Sequence, residues 1–421
     1  MIAHPPARAG ETVTLRFADA TGEQVTSFRV PADVPTAEGP EAAVAAGLMP
    51  AMARGEPLVV DQPVSARLAT ATTRLGEILA TWDRALHPGA PRLSLVPLVA
   101  PVRHPDGDRP APVPRAAAVD PGADRPAPAS RAAAVDPRGP RPVARPAPAS
   151  RAAVVDPRGP RPVARPAACF FTGGVDSFHS VLRHRDDLDA LVFVHGFDLS
   201  DDLDAPLNRM VGERVRVAAD ALGLPLIEVG SDLPAFGRAF GLSWDDYHGA
   251  ALAAVALLLA PRFATFHVPA TTTYAELYPL GSHPLTDPLW STEDVEIVHD
   301  GADVTRVDKL RALAEHPVAR QHLRVCFENR DGRYNCGRCE KCVRTGVAVR
   351  IAGVEGAFAS LPAPSLRQVA GTRVVGLGTA WKGYRDELGR TGSSPRLRAA
   401  VRLALLRHRW RTDPRVGRWI P

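Results

Sequence analysis

The chain has 421 residues, of which 45% are apolar and 23% charged, with a formal net charge of +5; that length is enough for two or three domains around at least one sizeable core. No charged-then-apolar leader is legible at the N-terminus, and the longest apolar run, Ala250–Ala260, is too short to span a bilayer, so no membrane partner and a soluble, cytoplasmic protein are expected. Lysine occurs only at Lys309, Lys341 and Lys382, and arginine supplies the rest of the 51 basic residues; with so much Ala, Pro and Gly, this reads as compositional bias more than as a nucleic-acid surface.

Taken in order, residues 1–100 carry strand-like runs at Thr12–Phe17 and Ser27–Val30. A helical pattern follows from Val64 through Leu75, Ile78, Leu79 and Trp82, and Leu93–Val99 reads as a further strand. These predict a small N-terminal α+β domain with no chemistry of its own, suited to docking or shaping a substrate. Residues 101–166 differ. Arg125–Ala133 recurs as Arg145–Ala153, a period of twenty, with a degenerate copy from Arg109. Proline at this density blocks helix and sheet hydrogen bonding, and each unit lacks an apolar face, so a disordered linker is expected.

From Ala167 strands and helices alternate. Strand Ala168–Phe171 leads into a helix from Ser177, strand Leu191–Val194 ends at His195–Asp198, and a helix over Leu207–Leu222 leads into strand Leu226–Val229. Ser243–Asp246 resembles a capping box opening the buried helix Tyr247–Leu259, and strand Thr265–Val268 precedes a long irregular stretch, Pro269–Trp290. This alternation predicts an α/β fold with a doubly wound parallel sheet over residues 167–360, in which ligands gather at the carboxyl ends of the strands. Further on, Ser291–Asp294 is expected to cap a helix carrying Val295, Ile297 and Val298, and Thr305 another through Leu310 and Leu313. The extension 361–421 is expected to be helical and basic: over Pro395–Arg411, Leu397, Val401, Leu403, Leu405 and Leu406 interleave with six arginines. Such a helix would mostly be a solvated face, with RNA or an acidic partner as its other use.

One stretch carries the chemistry. Cys169–Ser180 reads CFFTGGVDSFHS: a short apolar strand, a loop with two glycines, and a helix start at Asp176 and Ser177. Strand, glycine loop and helix N-terminus together present backbone amides and a helix dipole to an anion, and the residue types suit a pyrophosphate. The second cluster is CFENRDGRYNCGRCEKC. It places Cys326, Cys336, Cys339 and Cys342, four of the five cysteines, within seventeen residues. Two Cys-x2-Cys steps, with Gly337 easing the turn, suit a closed structural Zn²⁺ site; an iron–sulfur cluster is the rival. Arg338, Lys341 and Arg344 flank this knuckle and face either phosphates or solvent. Cys169, on the core strand, reads as a small buried hydrophobe.

Thr172–Ser177 resembles the Ser-Gly-Gly-x-Asp-Ser signature of the PP-loop (N-type) ATP pyrophosphatase superfamily, with Thr172 for the first serine. Combined with the late cysteine cluster, residues 167–350 or so are similar to the 7-cyano-7-deazaguanine synthase family; the N-terminal region, linker and tail are not part of that pattern. The resemblance implies an adenine nucleotide alpha hydrolase-like fold, with ATP, Mg²⁺ and Zn²⁺ as cofactors. It implies pyrophosphate held by Thr172, Gly173, Gly174, Val175, Asp176 and Ser177, with Asp176 and Ser177 as catalytic residues, and the nucleoside near Val194, His195 and Thr271. His195 and His267 are also candidates for catalysis, although a histidine near a strand end more often packs or hydrogen-bonds. Ser282, His283 and Asp287 are candidates for the second substrate, and Cys326, Cys336, Cys339 and Cys342 for the metal.

The expected reaction is adenylation of a small-molecule carboxylate or amide, with release of pyrophosphate and attack by ammonia or another nitrogen donor; a homodimer is one expectation for the assembly. A tRNA sulfurtransferase on the same fold and a nucleotide-binding regulator without turnover are the alternatives.

Overall fold

The computed structural model of the chain describes residues 1–104, 166–197, 205–375, 378–392 and 394–412. The Pro/Ala/Arg repeats and Asp198 lie outside the described residues. The first hundred residues form β1 (Ile2–Ala3), β2 (Ala7–Ala9), β3 (Thr12–Asp19), β4 (Gly22–Arg29), α1 (Glu41–Arg54), β5 (Leu58–Val60), β6 (Val64–Ser65), α2 (Ala66–Leu86), β7 (Leu98–Val99) and β8 (Val102–Arg103). From residue 167 come β9 (Ala167–Phe170), α3 (Val175–Arg183), β10 (Leu188–His195), α4 (Pro206–Leu222), β11 (Leu226–Ser231), α5 (Leu233–Ala239), α6 (Trp244–Leu258), β12 (Thr265–Pro269) and β13 (Glu296–Asp300). Helices α7 (Arg306–Ala314), α8 (Pro317–His322), α9 (Glu340–Ala352), α10 (Leu366–Gly371), α11 (Thr379–Thr391) and α12 (Pro395–Thr412) follow, with short 3-10 turns at Tyr274–Glu276, Asp287–Trp290 and Arg330–Gly332.

Eleven of these strands make one mixed, mostly parallel sheet in the order β13-β12-β9-β10-β11-β4-β3-β1-β5-β7, with β2 on β3. The five strands from β13 to β11 are all parallel. The alternation of side chains along β9 and β10 explains why helices cover both faces. Ala168, Phe170, Ala190, Val192 and Val194 enter one core with α1, α2 and α6. Cys169, Phe171, Leu191 and Phe193 enter the other with α3, α4, α7 and α9. Neighbouring residues on a pleated strand point to opposite faces, so a strand apolar at every position must be sandwiched. The chain moves from β9 to β10 and β11 through α3 and α4 on the second face. It then returns through α6 on the first face to β12, on the other side of β9. The direction of winding reverses at β9, and the crevice outside its carboxyl end is the position such a sheet reserves for a ligand.

The elements of residues 1–100 extend this sheet rather than closing a core of their own. β4 joins β11 antiparallel over two residue pairs, Arg29 with Gly230 and Phe28 with Ser231. Asp232 clamps the junction, its carboxylate accepting from Thr26 Oγ1 (2.5 Å), Ser27 N (2.8 Å) and Ser27 Oγ (3.2 Å). The alanine-rich α1 packs on the alanine-rich α6, and Tyr247 donates its hydroxyl to the Ala46 carbonyl at 2.7 Å. The strands of residues 1–100 thus form a wing of the central sheet.

The described part of the tail forms α10, α11 and α12. Trp381, Tyr384, Leu388, Leu397 and Val401 join the second core, and Trp381 Nε1 donates to Glu340 Oε1 at 2.7 Å. The basic helix therefore packs along one side, while Leu403, Leu406 and Trp410 stay exposed. Ser291–Asp294 does not open a helix. Thr292 Oγ1 accepts from Asp294 N and Val295 N as a cap would, but the chain continues as β13, which pairs with β12 over five residues. No helix among the described residues is long and apolar enough to cross a membrane.

Candidate functional site

β9 ends at Phe170 and α3 begins at Val175, so Thr172–Gly174 bridge a strand tip and a helix N-terminus. Gly173 has φ +72°, a left-handed conformation that any Cβ would strain. Its carbonyl accepts from Arg324 N at 2.7 Å, pinning the loop to the segment that leads into the cysteine cluster. Ser177 Oγ accepts from Gly174 N (3.1 Å) and Thr172 N (3.3 Å) and lies 3.2 Å from the Gly174 carbonyl, to which it can donate. That hydroxyl is thus engaged in shaping the loop.

Asp176 opens α3 with its side chain 18% exposed and two cations on its carboxylate: Arg306 Nη1 at 3.0 Å and Lys309 Nζ at 3.0 Å. Burial would raise its pKa, but Arg306 and Lys309 outweigh burial and hold it below the usual carboxylate range. Lys309 also donates to the Ala270 carbonyl at 2.9 Å, so one ammonium joins α3, α7 and the end of β12. Both cations come from the first turns of α7, which Thr305 caps by accepting from Asp308 N at 3.1 Å.

A cleft of about 230 Å³ opens here. Thr172, Gly174, Val175, Asp176 and Ser177 line it, together with Arg306, Arg324, Lys341 and Arg344; Asp176 is the single carboxylate among the lining residues. The remaining wall is apolar and aromatic. Val192, Val194, Leu252 and Val268 line it with Phe197 and Trp244, whose rings meet edge to face at 4.8 Å. A cationic end with a glycine loop and an apolar, aromatic wall suit a ligand that joins a polyanion to a planar group.

Several expected residues fall in place and others do not. Thr271 and Ser282 line the cleft, as does Val194. His195 lies outside the lining: Nε2 meets Glu228 Oε2 at 2.8 Å, and Glu228 is also held by Arg216. His283 and Asp287 serve the loop itself. Asp287 accepts from Ser282 Oγ (2.7 Å), His283 N (3.1 Å) and His299 Nδ1 (2.7 Å), and the His283 ring packs on Trp82 at 4.9 Å. Only Ser282 of that trio reaches the cleft wall, held in place by Asp287. Lys341 and Arg344 line the cleft, whereas Arg338 pairs with Asp331 at the surface. Arg306, Lys309, Arg324 and the Phe197–Trp244 pair escape a reading of motifs. The one signal for Lys309 is scarcity, since two of only three lysines in the chain gather at this cleft.

The four cysteines converge. Their sulfurs all lie within 4.8 Å of one another and are buried, with Cys326 Sγ and Cys339 Sγ 3.6 Å apart. A tetrahedral Zn²⁺ with Zn–S bonds of about 2.3 Å has S···S edges of roughly 3.8 Å. Backbone amides also point at sulfur: Asn329 N at Cys326 (3.1 Å), Cys339 N at Cys336 (3.2 Å) and Cys342 N at Cys339 (3.4 Å), with Gly337 at φ +69° making the turn. Contacts from Cys339 and then Cys342 hold the Cys326 thiol far below its ordinary pKa. This donor set can hold a metal such as zinc. Cys326 also lines the cleft, so cluster and cleft share a wall.

Compared with known proteins, the chain matches no family model, no curated protein and no solved structure.

Proposed function

We propose that the chain is an ATP-dependent adenylating enzyme of the PP-loop type, similar in chemistry to 7-cyano-7-deazaguanine synthases, converting ATP to AMP and pyrophosphate. The observation that carries this reading is the glycine loop at the reversal point of the sheet, opening onto a cleft with four cationic side chains and one carboxylate. A carboxylate or amide oxygen of the acceptor attacks the α-phosphorus and the bond to pyrophosphate breaks. Ammonia, or another nitrogen nucleophile, then displaces AMP.

This chemistry depends on positioning and charge neutralisation. The start of α3, with Thr172 and Gly174 beside it on the cleft wall, faces the leaving pyrophosphate, while Ser177 Oγ takes the Thr172 and Gly174 amides and Gly173, outside the lining, fixes the turn. Arg306, Lys341 and Arg344 offset its charge, and Asp176 orients Lys309 and Arg306 while presenting a carboxylate edge. Asp176, the one carboxylate on the cleft wall, would hold Mg²⁺, which would supply further charge neutralisation. The Phe197–Trp244 wall and Val194 receive the planar parts of the reactants, with Thr271 and Ser282 at its polar margin. Zinc on Cys326, Cys336, Cys339 and Cys342 is structural in this reading, because four thiolates leave no coordination position open.

Sulfur transfer to tRNA would need a reactive thiol outside the cluster. Cys169 is the one left, and it is fully buried in the second core, where burial and then the nearby Asp300 push its thiol well up. Incubating the full chain with ATP, Mg²⁺, ammonia and a panel of small carboxylic acids and amides tests the proposal. Acceptor-dependent AMP and pyrophosphate are expected. ADP as the product, RNA-dependent AMP release, or ATP binding without turnover would each overturn it.

A further inference from the structure

A second group of metal-type donors sits beneath α3, apart from the cysteine cluster. His184 caps the C-terminal end of α3, His267 lies on β12 and Asp300 ends β13. One ligand atom from each falls within 4.8 Å of the other two. His184 Nε2 and Asp300 Oδ1 are 2.8 Å apart, and the two imidazoles stack with centroids 4.1 Å apart and planes at 24°. Ligands about 2.0 Å from a tetrahedral ion are separated by roughly 3.3 Å, so an ion replacing the shared His184–Asp300 proton needs that edge to open by about 0.5 Å and the His267 ring to turn out of the stack, because stacked imidazoles do not aim their in-plane nitrogens at one point.

The surrounding polar atoms point the same way. His267 Nδ1 and the neighbouring His179 Nδ1 are buried without a hydrogen-bond partner. No hydrogen bond of good geometry reaches Asp300 Oδ2, although the Ser180 hydroxyl lies beside it. A buried polar atom left unpaired costs about 1–3 kcal/mol, and several at one point under a helix ask for a ligand. Arg183 does not fill the place. Its guanidinium is 4.0 Å from Asp300 and is drawn outward to Asp303 at 2.6 Å.

We infer that His184, His267 and Asp300 form a second metal site, taking a divalent first-row transition ion of the Zn²⁺ or Co²⁺ type. Two imidazoles and one carboxylate match that chemistry better than the all-oxygen shell of Mg²⁺ or Ca²⁺. Three protein ligands leave a position for water, unlike the closed thiolate cluster. The ion would fasten the C-terminal end of α3 to β12 and β13, independently of the proposed adenylation.

Cobalt substitution separates the two sites. Full-length protein loaded with Co²⁺ and desalted should retain two ions per chain. One shows the thiolate-to-cobalt charge-transfer band, and the other shows only weaker visible absorption. His184→Gln, at a partly exposed helix end, and Asp300→Asn should each lose one ion while keeping the charge-transfer band. Zinc added beyond one equivalent should raise the melting temperature of the parent protein but not of His184→Gln. A single retained ion with the thiolate band alone, or two ions persisting in His184→Gln, would overturn the inference. The His184→Gln result stands by itself if Asp300→Asn does not fold.

Discussion

At the scale of single residues, the site turns on backbone sign and on a buried charge triad. Gly173 holds φ +72° at the loop, and an alanine there is strained by about 1–2 kcal/mol. Gly173→Ala should therefore lower the urea midpoint and weaken ATP binding in calorimetry. Gly371→Ala, with nothing within 4 Å of the added methyl group, should change neither. Lys309 is 2% exposed and shares Asp176 with Arg306. Lys309→Met leaves a partly buried carboxylate half-compensated, a loss of up to about 3 kcal/mol, the lower end for a fully buried broken pair. The double variant with Asp176→Asn should recover part of that stability while still failing to bind ATP. What was legible here was the loop, because Thr172–Ser177 are contiguous. Arg306 and Lys309 lie more than a hundred residues away and meet Asp176 only through the packing of α7 on α3. Local pattern carries no information on such a meeting.

Elements were legible where one periodicity ran uninterrupted. β9, β10, α4 and α6 lie where the apolar runs and capping signals put them. β13 departs from the expected helix because Thr292 forms a helix-like cap while Ile297 and its neighbours face a sheet; a short β-branched run is ambiguous until its partner strand is known. α1 gave no signal because Gly47 and Pro50 interrupt an alanine-rich stretch, yet twelve of its residues are buried. The irregular stretch before β13 is ordered by its own polar groups, which makes it acid-sensitive. Burial, and then His299, lower the pKa of His283 below its ordinary 6.5, so the folded state prefers the neutral ring. The stabilisation is present above about pH 6.5 and is lost as the pH falls through that value toward the lower folded pKa. Denaturant midpoints measured downward from pH 7 should fall, and His283→Gln should flatten the fall.

For the molecule as a whole, alternation of strands and helices made the parallel half readable, and the reversal of winding at β9 locates the cleft. The joining of the N-terminal strands to β11 was not readable, since a two-pair antiparallel junction held by one aspartate leaves no periodic trace. Cluster and loop are also mechanically joined, as Arg324 N holds Gly173 two residues before Cys326. Chelation, or Cys326→Ser, should therefore weaken ATP binding by tenfold or more at temperatures where circular dichroism still reports a folded chain. Unchanged affinity after complete metal removal would separate the two.

The Asp232 junction has a bearing on how the protein can be cut. A fragment starting near residue 166 would bare the Gly230–Ser231 rim of β11 and strip the cover from the alanine face of α6. Such a rim invites pairing with other chains. The wing thus covers apolar surface that the parallel half of the sheet would otherwise expose, and that half is not a portable module.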